Sequence, residues 1–199
     1  MKQRALLPVL TPIARQEIPE VKGDTQKLLK DLAAFLPPER LVTQPGDLFA
    51  YECDAQTLDR ALPLAVVFPE SADETSKIVK LAVQHSVPFV PRGAGTGLSG
   101  GVVAVGSLVI ATARLNRSLE VDVPNRCAWV QPGVVNAHLS KAVAVHGLHY
   151  APDPSSQNSC TIGGNVAENS GGPHTLKYGV TTNHILAVEV VLPDGGIVV

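Results

Sequence analysis

Apolar positions in this chain change period from one stretch to the next. After Asp24, the residues Leu28, Leu29, Leu32 and Leu36 recur at three- and four-residue spacing until Pro37-Pro38, which predicts a short amphipathic helix with a proline stop. The β-branched run Leu64 to Phe68 predicts a buried strand. Ser71-Ala72-Asp73-Glu74 then has the form of a capping box opening a helix through Ile78, Val79, Ala82 and Val83. Phe89-Val90 predicts a second strand running straight into a glycine-rich segment, and Ser107 to Thr112 a third, so this region alternates β and α. Further on, Leu119 to Val123 and Arg126 to Gln131 predict strands, and Val134 to His146 a helix with Gly147 as its C-terminal cap. Val188 to Leu192 and Ile197 to Val199 flank a Pro193-Asp194-Gly195-Gly196 turn as a hairpin does. A last strand with no partner beyond it leaves an open sheet edge, from which an unfinished sheet and a truncated chain are expected.

Composition narrows the function classes. The 199 residues are 45% hydrophobic, enough for a core in one domain or slightly more. Net charge is −2 with the charges interspersed, so no nucleic-acid footprint is visible. Cys53, Cys127 and Cys160 form no CxxC pair, which argues against a zinc site or disulfide framework and points to a reducing compartment, the cytoplasm. Met1 to Arg4 followed by apolar Ala5 to Ala14 mimics a secretory signal. Pro8 and Pro12 interrupt it, Arg15 ends it and no small-x-small cleavage site follows, so a loose leader is expected. No stretch reaches the roughly 18–20 apolar residues of a membrane span, and membrane association is expected only through partner subunits.

The chemistry concentrates in two segments. Pro91-Arg92-Gly93-Ala94-Gly95-Thr96-Gly97-Leu98-Ser99-Gly100-Gly101 carries five glycines in eleven residues. Such a backbone turns sharply and aims successive N–H groups at one place, a nest for an anion. With the Thr96 and Ser99 hydroxyls and Arg92 nearby, phosphate or pyrophosphate is the expected guest, against the plainer reading of a tight surface turn. Gly95 to Gly100 also matches the GxGxxG pattern of NAD-binding folds, but that mechanism needs a helix to open directly after the loop, and the following residues read as turn and strand. No Gly-Lys-Ser/Thr follows, which excludes a Walker A loop.

The second segment runs Ala151-Pro152-Asp153-Pro154-Ser155-Ser156, then Cys160-Thr161-Ile162-Gly163-Gly164-Asn165-Val166-Ala167-Glu168-Asn169-Ser170-Gly171-Gly172, then Lys177-Tyr178-Gly179. It is too polar and glycine-rich for core. A double glycine leading into Asn165 can start a short helix beside a ligand, with Asn and Ser groups for a polar heterocycle edge. An ordinary long loop is the alternative, although such loops are uncommon inside compact domains unless functional. His146 and His149 form an HxxH pair with no third ligand and are read as ordinary histidines, and no metal site is expected. His174 and His184 lie nearer the second segment.

Together, Tyr51-Glu52-Cys53-Asp54, PRGAGTGLSGG at 91–101, APDPSS at 151–156, TIGGNVAENSGG at 161–172 and KYG at 177–179 resemble the FAD-binding (PCMH-type) domain of the vanillyl-alcohol oxidase and p-cresol methylhydroxylase superfamily, in its glycolate oxidase and D-lactate dehydrogenase branch. The resemblance covers about residues 45–199. It implies an α+β fold of two α/β subdomains, incomplete in the second, preceded by a leader and helix over 1–44 and without the cap and carboxy-terminal catalytic domain. It implies that Pro91, Arg92, Gly93, Ala94, Gly95, Thr96, Gly97, Leu98, Ser99 and Gly100 hold the FAD pyrophosphate. Pro152, Asp153, Ser156, Thr161, Gly163, Gly164, Asn165, Asn169, Tyr178 and Gly179 would then line the path from adenosine to flavin.

Thr96 stands at about the place where several relatives link FAD through histidine, and Cys160 is displaced by one residue from a second linking position, so the FAD is expected to be non-covalent. In this branch the flavin N5 takes a hydride from the α-carbon of a 2-hydroxy acid. The catalytic histidine, carboxylate-binding arginine and metal ligands lie in regions this chain lacks, so no catalytic residue is assigned here and the chain alone is expected to be inactive. The intact enzyme would use glycolate, with D-lactate as runner-up, and pass electrons to a partner such as an iron–sulfur subunit or to quinone. A non-catalytic flavin- or nucleotide-binding module from a shortened reading frame is the alternative from another class.

Overall fold

The structure, a computed structural model, describes residues 23–199. The signal-like leader therefore lies outside the described residues. In chain order the elements are α1 (Thr25–Ala33), β1 (Leu41–Val42), α2 (Pro45–Leu48), β2 (Ala65–Val67), α3 (Ala72–Gln84), β3 (Phe89–Arg92), β4 (Leu108–Ala111), β5 (Ser118–Asp122), β6 (Cys127–Val130), α4 (Asn136–Val143), α5 (Ile162–Glu168), α6 (Thr175–Tyr178), β7 (Val190–Val191) and β8 (Ile197–Val198), joined by short 3-10 turns. They form two mixed α/β layers with a cleft between them.

The first layer is a four-stranded sheet in the order β1-β2-β4-β3, in which β2, β4 and β3 are parallel and β1 is antiparallel. Period-two alternation separates its faces. Ala65, Val67, Leu108 and Ile110 point into one core with Leu28, Leu32 and Leu36 and with Ile78, Val79 and Ala82 of α3. Val66, Val109 and Ala111 point into the opposite core with Leu48 and Ala104. The α1 helix begins where the spacing predicted, because the Asp24 carboxylate accepts from the Lys27 N–H, and its leucines are buried in the first core.

Strand β3 continues two residues past the predicted Phe89-Val90, through Pro91. Proline lacks the N–H a central strand must donate, and it is tolerated because β3 pairs on one side only. Ser71 caps α3 as predicted by accepting from the Glu74 N–H at 3.1 Å, but the reciprocal half of the box is absent. The Glu74 side chain instead accepts from the Glu70 N–H and from Arg40 at 2.6 Å.

In the second layer β5 and β6 form an antiparallel hairpin. Val121, Ala128 and Val130 pack from it against Val134, Leu139, Val143 and Ile162. The predicted helix over 134–146 splits into α4 and a 3-10 turn ending at left-handed Gly147, whose φ of 71° supplies the expected cap. The β7–β8 hairpin forms as predicted and lies on α3: Val191 joins the first core and the Ser76 hydroxyl donates to the Gly195 carbonyl. Sequence reasoning left α2 and α6 as loop, since a four-residue helix carries too few apolar positions to show a period.

Arg40 is 9% exposed at its side chain, and hydrogen bonding to it holds the Glu74 carboxyl below the ordinary carboxylate range. A depressed folded-state pKa stabilises above the unfolded value, about 4.3 for glutamate, and that contribution is lost as pH falls through the lower folded value. Glu74→Gln is therefore expected to cost about 1 kcal/mol near neutral pH, the scale of a partly exposed charged hydrogen bond. Urea unfolding at a series of pH values should show the difference from the parent protein vanish in acid.

Candidate cofactor site

The cleft between the layers has a volume of about 530 Å³. One wall is the end of β3 and the loop that follows it, from Pro91 to Leu98 with Gly101 and Val102. The other is Pro154 to Ser156, Cys160, Thr161, Gly163, Gly164, Asn165 and Glu168. The segments meet closely at their glycines. A Cβ on Gly93 would stand 2.5 Å from the Thr161 hydroxyl, and one on Gly163 would stand 2.6 Å from the Pro132 side chain. Glycine at 93 thus lets the two walls approach, and glycine at 163 lets α5 pack against Pro132.

Gly95 has a φ of 70°, and a Cβ there would run into the Arg92 guanidinium. Among the described residues, the N–H groups of Gly95, Thr96, Gly97, Leu98 and Ser99 make no hydrogen bond, whereas the Gly100 N–H donates to Asp54 at 2.9 Å. A run of unpaired N–H groups along a cleft wall is what an anionic diphosphate requires. No helix opens after Gly100: a turn leads to β4, so the helix-based NAD mechanism has no structural footing here.

Arg92 is 7% exposed and sits beneath the loop. Its Nη1 donates to the Cys53 carbonyl at 3.0 Å, and its guanidinium lies 5.5 Å from the centre of the Tyr51 ring. Burial is the main influence drawing its pKa below the ordinary guanidinium value, opposed by Tyr51, Cys53 and Asp54. It makes no salt bridge with any described carboxylate, so this buried cation adds positive potential to the nest.

On the opposite wall, α5 starts after Thr161, whose hydroxyl accepts from the Gly164 N–H at 3.3 Å, as the double glycine suggested. Asn165 is 2% exposed; its Oδ1 accepts from Asn136 at 2.9 Å and its Nδ2 donates to the Cys160 sulfur at 3.2 Å. Cys160 is thereby a small buried side chain, consistent with its displacement from a linking position.

Of the sequence-predicted residues, the cleft brings together Pro91 to Leu98, Ser156, Thr161, Gly163, Gly164 and Asn165. Ser99 and Gly100 stand at its rim. The structure places the others elsewhere. Pro152 is fully buried behind α4, its carbonyl accepting from Asn136. Asp153 pairs with His174, whose hydrogen bond holds the carboxyl below the usual range. Asn169 closes α5 in the left-handed region and its Oδ1 accepts from the Thr182 N–H. Tyr178 packs between His149 and His174, and Gly179 turns beside Asn183. His184 approaches the Tyr178 carbonyl at 2.9 Å, and neither His174 nor His184 lines the cleft.

Asp54, Pro132 and Glu168 were not singled out from sequence. Asp54 lay within the quoted Tyr51 to Asp54 segment and Glu168 within the second one, so the missing information was contact across 46 and 69 residues. A second cleft, of about 710 Å³, is lined mainly by apolar side chains of β5, β6, α4 and the 184–187 segment. Among the described residues no His, Cys, Asp and Glu group could hold a metal ion, and no helix is long and apolar enough to cross a membrane.

The chain is 43% identical over 179 residues to the glycolate oxidase subunit GlcD of Escherichia coli (strain K12), and 42% identical over 175 residues to that of Bacillus subtilis (strain 168). It is 39% identical over 154 residues to a D-lactate dehydrogenase of Archaeoglobus fulgidus. These matches cover 89%, 87% and 73% of this chain but 36%, 37% and 34% of the relatives, so the chain spans about a third of their length. An alkyldihydroxyacetonephosphate synthase structure superimposes with a TM-score of 0.78 at 25% identity, covering 86% of this chain and 34% of that one. The profile of the FAD binding domain family matches residues 63–199, and the chain belongs to that family.

Proposed function

We propose that this chain is the FAD-binding portion of a flavin-dependent 2-hydroxy acid dehydrogenase, with glycolate as the substrate of the whole enzyme. The observation that carries the reading is the row of unpaired N–H groups from Gly95 to Ser99, set over the buried Arg92 and facing the start of α5 across a cleft with glycine at its contacts. The residues present fit the cofactor. Gly93 to Ser99 would take the diphosphate, Thr161, Gly163 and Gly164 would close on it from the other wall, and Asn165 would hold that wall in place through Asn136 and Cys160. The path implied for Pro152, Asp153, Asn169, Tyr178 and Gly179 would follow the second wall outward. When bound, the flavin supplies a two-electron acceptor for the hydride of a 2-hydroxy acid.

Glycolate is favoured over D-lactate because the relatives at 43% and 42% identity are glycolate oxidase subunits and the D-lactate dehydrogenase stands at 39%. Residues 45–199 form the cofactor domain in this proposal, with 1–44 as leader and helix. Electrons would pass to a partner subunit with iron–sulfur clusters or to quinone. The protein would work in the cytoplasm, reaching a membrane only through such partners. FAD would be held without a covalent link, since Thr96 offers no nucleophilic ring nitrogen.

The test is uptake of FAD by the purified protein, followed by desalting and an absorption spectrum. Paired flavin bands are expected, and Gly95→Val should abolish them, because the new side chain meets the Arg92 guanidinium at a backbone conformation that L residues rarely adopt. Bands of equal height in both proteins would place FAD elsewhere. The cleft lining contains no histidine to serve as a base for a 2-hydroxy acid. FAD-loaded protein mixed with glycolate and an artificial electron acceptor is accordingly expected to show no turnover, and glycolate-dependent bleaching of the flavin would refute that part of the proposal.

A further inference from the structure

Glu168 ends α5, and its carboxylate, though exposed, is tied to the glycine-rich loop. The Ser99 hydroxyl donates to Oε2 at 2.7 Å, and a Cβ on Gly97 or Gly101 would lie 3.5 Å or 3.3 Å from the carboxylate group. A fixed negative charge therefore borders the row of N–H groups built for an anion. Asp54 already accepts the Gly100 N–H on the same loop, and Arg92 is the one cation among the residues lining the cleft. This carboxylate has no evident structural purpose that a neutral side chain would not serve, because an amide oxygen at the same place would accept from Ser99 equally well.

We propose that Glu168 is a specificity determinant that favours the internal diphosphate of a dinucleotide over a terminal phosphate. The inference rests on the reading of this cleft as the FAD site. The two bridging phosphates of FAD are esterified on both sides and carry one negative charge each. A terminal phosphate monoester, as in FMN, has a second ionisation near pH 6 and carries close to two at neutral pH. Repulsion from the carboxylate depends on how much charge stands nearest to it, and the monoester concentrates its charge on one group where the diphosphate spreads a similar charge over two, so it falls harder on the monoester. The loop N–H groups attract both ligands, and Glu168 is the element that separates them by charge density.

The experiment measures FAD and FMN dissociation constants by flavin fluorescence titration at neutral pH and low salt, for the parent protein, Glu168→Gln and Glu120→Gln. Thermal unfolding of each protein serves as a check on folding. Glu168 is exposed and glutamine matches its shape, so the fold is retained. In Glu168→Gln, FMN is expected to bind about fivefold tighter, the scale of an exposed like-charge contact, with a smaller gain for FAD, so that the FAD preference narrows. Glu120→Gln removes one negative charge at an exposed position of β5 outside the cleft lining and is expected to leave the preference unchanged. An unchanged or widened preference in Glu168→Gln, or the same narrowing in Glu120→Gln, would overturn the proposal. Failure of the parent protein to take up FAD in the same titration would instead overturn the reading of the site on which it rests.

Discussion

The close approach of Gly93, at the end of β3, to the Thr161 side chain at the start of α5 is the constraint on which the cleft depends. A side chain at 93 would have to displace the hydroxyl that caps α5. The parallel sheet delivers the first wall, because β3 is held at the edge in register with β4 and its loop must emerge at that end. The second wall is fixed by a buried polar contact. Asn136 on α4 donates to both Asn165 and the Pro152 carbonyl, which ties α4, α5 and the 151–156 segment together.

Electrostatics at the cleft is a balance rather than a simple positive patch. Arg92 is buried without a carboxylate partner among the described residues and is stabilised by the Cys53 carbonyl and the Tyr51 ring, while Asp54 and Glu168 set negative charge at the loop's far end. Neutral N–H donors carry most of the attraction, which suits a ligand recognised along its length more than a bare ion. A chain with net charge −2 can accommodate a dinucleotide in this way without a general affinity for polyanions.

Much of the fold was legible in the residues. Helix α1, the β2–α3–β3 alternation, strands β5 and β6, the β7–β8 hairpin and the Gly147 cap follow from period and turn chemistry, and the glycine-rich loop stands out as a candidate anion site through its glycines alone. The role of Glu74 was misjudged, because its pairing with Arg40 crosses 34 residues and no local pattern encodes it. Glu168 escaped notice for the same reason. The spread of Pro152, Asp153, Asn169, Tyr178 and Gly179 away from the cleft was also invisible, since proximity along the chain to Ser156 and Thr161 says nothing of which side of a turn faces the ligand. Family membership, by contrast, was carried by short contiguous strings that need no tertiary information.

Amide hydrogen exchange followed by mass spectrometry, with and without FAD, tests the central claim most directly. The N–H groups of residues 95–99 have no hydrogen-bond partner among the described residues and should exchange fast. FAD is predicted to slow exchange over 93–99 and around 161–165 together, as both walls close on the diphosphate. Saturating FAD that leaves 93–99 exchanging at the unliganded rate, with protection confined to other segments, would contradict the account.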